Sequence, residues 1–483
     1  YYEDEDEDED KYKYEDEEGN EKTILAEGII NVTNNIATPQ AETGDGFTAI
    51  LKADGTVWIV GTGTVSVQGT ETQNNNPDVK PTQIKISETE NLENIIKISA
   101  GTNEIIALTK FGQIYTYNIK DEYATAGARC NVPVETTETT SEETENNNNI
   151  KTTILNNIVD ISAGNNILVA LDKNGDVYKW NKETEPEKQN LENIIRISVG
   201  NGNIGALESN GILWSFGENG KGQLGLNSKT DLEYPLVAET DVTEISNGGV
   251  HAVIQKTDGK LYATGDMYQS STFEEIALPE TVTNANPIKY FKTGYNTTTI
   301  MLKDGTVYGE GGNTKGELGI GNTNNASRFT QGLTIDTSNS IEENSNPADV
   351  GASSARPLGN VLTIGNSVGN GETSSLNTTA ILENGDVYVT GDNTNGQIGD
   401  GTTESKTYYT VMGKTREISL NKKNEYIKIG ETLDINVLGG ISNFNVFAND
   451  NESGENINQA GWTWTSSNED VATIDKNGNV TGV

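Results

Sequence analysis

The chain has 483 residues, 72 Asp and Glu against 33 Lys and Arg, a net charge of −39 and a pI near 4.3. That balance argues against nucleic acid as a partner, since neutralising phosphates with Lys and Arg supplies most of such affinity, and it favours solubility over anionic partners. One cysteine (Cys130) and one histidine (His251) allow no intrachain disulfide and argue against zinc and against thiol or imidazole nucleophiles, and no stretch approaches eighteen apolar residues, so no membrane insertion is expected.

Residues 1–21 hold thirteen Asp or Glu against Lys11 and Lys13. So charged a stretch buries too little apolar surface to fold, and it reads as an acidic disordered linker. The chain opens at Tyr1 with neither an initiator Met nor an apolar leader, as expected of a fragment. Residues 22–43 carry Ile24, Leu25, Ile29, Ile30 and Val32, enough for a strand or two, part of which is expected to close a ring.

From Gly44 onward a stretch of about eighteen residues returns seven times, at 44–61, 101–118, 164–181, 200–217, 248–265, 294–311 and 374–391. Its clearest copy is Gly200-Asn-Gly-Asn-Ile-Gly-Ala-Leu-Glu-Ser-Asn-Gly211-Ile-Leu-Trp214-Ser-Phe-Gly217. The turn glycines are Gly55, Gly112, Gly175, Gly211, Gly259, Gly305 and Gly385, each followed three residues on by an aromatic: Trp58, Tyr115, Tyr178, Trp214, Tyr262, Tyr308 and Tyr388. Six units open on a glycine (Gly44, Gly101, Gly164, Gly200, Gly248, Gly294), and the seventh has Ser374 at that spacing. Each unit is a β-hairpin. Asp54-Gly55 and its equivalents are dipeptides suited to type I′ turns, and Phe111-Gly112 predicts a looser one. A hairpin alone is not stable, so seven of them must stack as a solenoid or ring. Alternating strands ahead of the glycines, such as Ile95-Ile-Lys-Ile98 and Ile158-Val-Asp-Ile161, add a third strand, and a less regular fourth completes a propeller blade.

Three units continue into Asn219-Gly-Lys-Gly-Gln-Leu-Gly225, Asn313-Thr-Lys-Gly-Glu-Leu-Gly319 and Asn393-Thr-Asn-Gly-Gln-Ile-Gly399. With the preceding Gly-x-x-His and Asp-Gly-x-φ-aromatic columns, this resembles the repeat of the regulator of chromosome condensation family over roughly 360 residues. The resemblance implies a seven-bladed β-propeller over 22–414. The family's His position holds His251 in the fifth unit, and Phe47, Glu104, Ile167, Asn203, Thr297 or Asn377 in the others. Thr-, Glu- and Asn-rich residues 121–149, Asn-, Ser- and Gly-rich residues 323–368 and a shorter stretch near 66–83 read as insertions expected to be disordered.

From about Thr415 the pattern changes. Trp462-Thr-Trp-Thr-Ser-Ser-Asn and Val471-Ala-Thr-Ile-Asp-Lys-Asn-Gly-Asn-Val-Thr-Gly-Val483 resemble a bacterial Ig-like domain of group 2. The resemblance implies a small β-sandwich over 415–483, incomplete at its C-terminus. The fold class is therefore all-β throughout.

No active site emerges. His251 and the aromatic column read as structural, Asp172-Lys-Asn-Gly-Asp176 as a turn rather than a calcium loop, and Gly217-Glu-Asn-Gly-Lys-Gly fails the phosphate-loop pattern. No catalytic, cofactor or metal residue is expected. The two resemblances together imply a non-enzymatic binding or adhesion module, extracellular or on a bacterial cell surface, monomeric within a longer chain. It would recognise a protein or glycan through propeller loops. The alternatives are a secreted protein inhibitor of the propeller type or a structural spacer of a surface protein.

Overall fold

The computed structural model describes residues 13–15, 21–23, 36–61, 81–132, 149–335, 355–367, 376–420, 432–434, 437–447, 472–474 and 479–482. The chain forms two units, Tyr1–Asn35 and Ile36–Val483. In the first, Lys13–Glu15 pairs antiparallel with Glu21–Thr23, within and just beyond the segment whose charge predicts disorder.

In the second unit, seven antiparallel meanders stand around a central channel. Their inner strands are Gln40–Thr43, Ile95–Ala100, Ile158–Ala163, Ile194–Val199, Val242–Asn247, Ile288–Thr293 and Val361–Asn366. The first inner strand lies beside the last, with Thr43 bridged in parallel to Ser367. The molecule is an all-β, seven-bladed propeller. Because the inner strands run side by side, all turns between second and third strands and all blade-to-blade connectors lie on one face, the turn face. The loops after inner and third strands lie on the opposite one, the loop face.

The hairpin turns differ from the type I′ expectation. In Lys52-Ala53-Asp54-Gly55 the Gly55 N–H donates to Lys52 O at 3.0 Å, and only Gly55 has a positive φ, 82°. This is a type I turn closed by one left-handed residue, whereas type I′ needs two. The Asp or Asn is there for its side chain. Asp54 Oδ1 accepts from Thr56 N–H at 3.0 Å, Asp304 Oδ1 from Thr306 N–H at 2.9 Å and Asn384 Oδ1 from Asp386 N–H at 3.1 Å. Nor is the Phe111-Gly112 turn looser: Gly112 donates to Thr109 O at 3.0 Å, and Thr109 Oγ1 supplies the missing acceptor to Gln113 N–H at 3.1 Å.

In blades 2 to 7 the inner strand slips register by one residue near its start, as between Ile95 and Lys97 or Ile158 and Asp160. The extra residue is unpaired and turns outward, which breaks the alternation expected from the sequence. Further along, serines tie neighbouring blades. Ser99 Oγ accepts from Ala163 N–H at 2.9 Å, Ser162 Oγ from Val199 N–H at 3.0 Å, Ser198 Oγ from Asn247 N–H at 2.8 Å and Ser246 Oγ from Thr293 N–H at 3.0 Å. At the loop-face mouth the opening glycines leave no room for a side chain: a Cβ on Gly164 would sit 1.8 Å from Gly200 O. The seventh unit's equivalent is Ser367, whose N–H donates to Asn377 O as Gly294 N–H does to Thr297 O. Ser374 lies outside the described residues.

The stretches that composition marks as insertions contain repeat strands. Thr125–Ala126 and Ala326–Gln331 are the outer strands of blades 2 and 6, and Val361–Asn366 is the inner strand of blade 7. Outer strands face solvent and need no apolar residues, so polar composition hides them. Leu333–Ile335 and Ala355–Pro357 add a hairpin beside blade 7. Residues 62–80, 133–148 and 336–354, which hold most of the low-complexity sequence, lie outside the described residues.

The seam between blades 7 and 1 is closed by residues beyond the repeats. Before five other inner strands stands an Asn or Asp with φ of 56 to 62°: Asn94, Asn157, Asn193, Asp241 and Asn360. Asn94 O accepts from Lys110 N–H at 2.9 Å, and Ile95 N–H donates to Gly55 O of the preceding blade at 3.0 Å. Blade 1 has Ala37 at that spacing, without the positive φ, and its N–H turns to Ala53 O at 3.1 Å. Asn445-Val446 fills the place. Val446 N–H donates to Gly385 O at 2.9 Å, Val446 O accepts from Ala53 N–H at 3.0 Å, and the valine is buried with Ile50, Val387 and Val389. The propeller therefore reaches to Phe447, past the expected boundary at 414. Around it, Gly413–Leu420 pairs with Val437–Asn443, and Asn479–Gly482 pairs with Thr432–Asp434 and Ala472–Ile474.

Candidate binding surfaces

The repeat residues singled out from sequence sit in equivalent places. Gly55, Gly112, Gly175, Gly211, Gly259, Gly305 and Gly385 close the turns, with φ between 76° and 89°. Trp58, Tyr115, Tyr178, Trp214, Tyr262, Tyr308 and Tyr388 lie on third strands, each opposite an Ile or Ala of the second. All are buried or half-buried. Several turn a polar tip to a nearby partner: Trp58 Nε1 donates to Thr56 Oγ1 at 2.9 Å, Trp214 Nε1 to Glu208 Oε2 at 3.1 Å and Tyr262 OH to Asp258 Oδ2 at 2.8 Å. This arrangement packs blades and leaves the ring faces little free for stacking.

The channel carries a belt of paired charges. Lys97 meets Asp160, Arg196 meets Glu244 at 2.8 Å, and Lys292 meets Glu42 at 3.3 Å. Burial alone would lower the Lys292 pKa, but Glu42 and Tyr290 outweigh it and raise it. Burial raises that of Glu244, against the pull of Arg196. The belt encloses an open volume of only about 100 Å³, below the size of ordinary ligand sites, so its charges serve the ring.

His251 is fully buried between blades 5 and 6. Its Nε2 lies 3.0 Å from Thr298 Oγ1, Thr298 Oγ1 lies 3.0 Å from Tyr268 OH, and Tyr268 OH donates to Glu310 Oε1 at 2.6 Å. Burial pulls the imidazole pKa down to about 4 and pushes that of Glu310 up to about 7, so the imidazole is neutral at pH 7. Buried at His251, Thr298 and Glu310 and half-buried at Tyr268, this chain of groups acts as a joint between blades. Asp172 is likewise engaged: its Oδ1 accepts from Asn174 N–H at 2.8 Å and Asp176 N–H at 3.0 Å, a turn and nothing more. Among the described residues no group of three or more His, Cys, Asp or Glu could hold a metal ion.

The three Asn-x-x-Gly turns are knots tied by their first residue. Asn219 Nδ2 donates to Ser228 O and Thr230 O while its Oδ1 accepts from Leu224 N–H, and Asn313 repeats the pattern. The knots lean on the next blade: Thr264 Oγ1 donates to Gly222 O at 2.9 Å and Thr390 Oγ1 to Gly316 O at 2.7 Å.

An exposed apolar surface lies on the turn face. The register slip turns Ile96, Val159 and Ile195 outward at the channel mouth in three successive blades. Phe111, at 67% exposure, and Ile154 stand above them on the turn of blade 2 and the connector to blade 3. These are five of the eight large hydrophobic side chains exposed among the described residues. The other three (Tyr234, Leu236, Val237) are on the outer strand of blade 4, an edge interrupted by Pro235. Exposed Lys110, Lys173, Glu93 and Glu192 flank the arc with balanced charge. Nothing in the repeat pattern marks these positions. The one signal was Phe111 in a column otherwise Asp or Asn.

Comparison with known proteins agrees with the architecture. Residues 210–255, from the turn of blade 4 into blade 5, match the model of the regulator of chromosome condensation (RCC1) repeat. The X-linked retinitis pigmentosa GTPase regulators of Canis lupus familiaris and Homo sapiens are 31% and 30% identical over 127 residues, which is 23% of this chain and 12% of theirs. The match thus spans about an eighth of those relatives. Prp20p of Saccharomyces cerevisiae, studied with its binding to Gsp1p and histones, superposes with a TM-score of 0.50 at 16% identity over 80% of this chain and 91% of its own. Yeast RCC1 (Prp20) bound to Kap60 gives 0.50 and 16% over 81% and 88%. The chain is a seven-bladed β-propeller, and its residues 210–255 match the regulator of chromosome condensation repeat.

Proposed function

We propose that this chain is a non-enzymatic binding module that takes a protein partner on its turn face, over blades 2 to 4. The observation that carries the reading is the arc of Ile96, Val159, Ile195, Phe111 and Ile154. Five large apolar side chains exposed on one face of an otherwise highly charged protein are what an interaction site leaves behind. Its side chains are the kind that become buried anchors, and its charged flanks can form the polar rim. Prp20p is a propeller of similar architecture with protein partners, which supports recognition as the mode of action. The sequence of residues 415–483 resembles a bacterial Ig-like domain of group 2. On that resemblance we place the module on a bacterial surface or outside the cell, with the residues beyond the clasp at Phe447 leading into its spacer.

The test is binding of the whole chain to arrayed extracellular-matrix proteins, compared with the double variant Phe111→Ser, Ile195→Ser. Saturable binding at least tenfold weaker in the variant, with its melting midpoint kept, supports the reading. Equal binding by both, or none by either, overturns it.

A further inference from the structure

In a ring of near-identical blades, a site arises where the repeat is broken, and three breaks converge on the loop face between blades 5 and 6. The second position of the loop after the inner strand is Asp45, Thr102, Asn165 and Asn201 in blades 1 to 4, but Gly249 in blade 5 and Tyr295 in blade 6. Just beyond the third strand, blades 2 to 5 and 7 carry Ile119, Lys182, Glu218, Asp266 and Asp392, and blade 6 carries Gly312. These departures fit one another. A Cβ on Gly249 would lie 2.2 Å from the Tyr295 ring, and one on Gly312 would lie 2.3 Å from Asn296 Nδ2. The two glycines let Tyr295 and Asn296 settle against the blades, which holds both side chains in place before any ligand arrives.

Beside them opens a cleft of about 350 Å³, walled by Tyr295, Asn296, Met267 and Asn325 and reached by Lys221 and Asp266. The chain His251–Thr298–Tyr268–Glu310 stiffens the wall, because Tyr268 ends the short 3₁₀ turn Asp266–Tyr268 that carries Asp266 and Met267. Two polar features are left over. Asn296 Oδ1 is shielded from solvent and accepts no hydrogen bond. Lys221 Nζ stands 3.6 Å from Asp266 Oδ2 with both side chains about half exposed, too far for a direct hydrogen bond.

The geometry points to this cleft as a binding site for a small carbohydrate unit, a hexose or N-acetylhexosamine at the end of a glycan. A sugar ring presents C–H groups on one face and hydroxyls at its edge. Tyr295 and Met267 match the first, and the amide N–H groups of Asn296 and Asn325 can donate to the second, the Asn325 Oδ1 being already taken by Asn313 N–H at 3.0 Å. One hydroxyl between Lys221 and Asp266 would accept from the ammonium and donate to the carboxylate, closing the gap that the pair leaves. The volume lies at the small end of ligand clefts, so one or two sugar rings fit. The inference shares the binding-module reading with the proposed function but uses the opposite face.

The test is saturation-transfer NMR of the full chain with methyl glucoside, methyl galactoside, methyl mannoside, N-acetylglucosamine and N-acetylgalactosamine, titrated to about 50 mM, beyond the millimolar range of weak sites. We expect at least one to saturate. Tyr295→Ala should weaken it about tenfold or more and Asp266→Ala several-fold, as loss of one ring contact or one hydrogen bond to a charged group implies. Phe111→Ser should leave it unchanged, which separates this site from the turn-face arc. No saturable signal for any of the five sugars overturns the proposal. So does binding that survives both cleft substitutions. Since Asp266 is half exposed, a folding defect in Tyr295→Ala alone would still leave the Asp266→Ala result to decide.

Discussion

The seam between blades 3 and 4 and the seam between blades 7 and 1 do the same work by different means. The first is made wholly of repeat residues: Ser162 Oγ receives Val199 N–H, Gly164 fits against Gly200 O, and Asn193-Ile194 starts the next inner strand. The second lacks the serine, has Ser367 in the glycine position and borrows Asn445-Val446 from beyond blade 7. A repeat can supply every joint except the one that closes it, because the last blade has no successor. Blades 7 and 1 still meet directly, Thr48 Oγ1 donating to Gln397 O at 2.7 Å and Thr379 Oγ1 to Ala41 O at 2.6 Å. The residues that take over the connector's role, however, come from outside the period, and no period search finds them.

This contrast can be broken most severely at the clasp. A chain ending at residue 414 should lose about 4 kcal/mol or more relative to one ending at Phe447. It forfeits a fully buried valine along with its flanking aromatic contacts and several backbone hydrogen bonds. Urea unfolding of the two chains checks this, and equal midpoints would mean that blades 7 and 1 close unaided.

The joint between blades 5 and 6 sharpens the comparison with a pH signature. Glu310, with its pKa raised to about 7 in the folded chain from an ordinary 4.5, keeps its proton while the unfolded chain ionises. Stability should therefore fall as pH rises from about 4.5 to 7 and level off above, by an amount on the order of 2 kcal/mol after allowance for relaxation. His251 has the opposite sign: its folded pKa near 4 lies below the ordinary 6.5, so stability falls as pH drops through that window. Glu310→Gln should remove the first slope and keep the second, as read from melting midpoints between pH 4 and 8.

The mildest break is within a repeat-made seam. Ser162→Ala leaves the Val199 N–H without its acceptor and should cost about 1 kcal/mol, measured by urea unfolding. Similar staples at Ser99, Ser198 and Ser246 should keep the ring closed.

The sequence made the ring legible and left its joints obscure. Seven copies of one glycine-aromatic pattern are enough to identify a propeller, because they encode local hairpins that any blade must contain. The second pattern, Asn or Asp before Ile or Val with a Ser four to five residues later, holds in blades 2 to 5, yet its meaning is between blades and periodicity within one blade does not expose it. The turn type is not legible for a simple reason: Asp-Gly satisfies two turn types, and only backbone angles separate them. The outer strand Ala326–Gln331 was hidden because a solvent-facing strand needs no apolar residue. The arc of Ile96, Val159 and Ile195 was written in plain view, but an aliphatic residue inside an aliphatic strand looks buried until a register slip turns it out.

The clasp also sets an order of events during synthesis. Six seams join blades that follow one another along the chain and can form as the N-terminal part emerges. The Ala53 amide finds its partner only when Val446 arrives, a separation of 446 − 53 = 393 residues. Until blade 7 is made the nascent propeller is an open arc with two unpaired blade faces. Blades 7 and 1 can then meet, and the clasp that locks them is the last and longest loop to close.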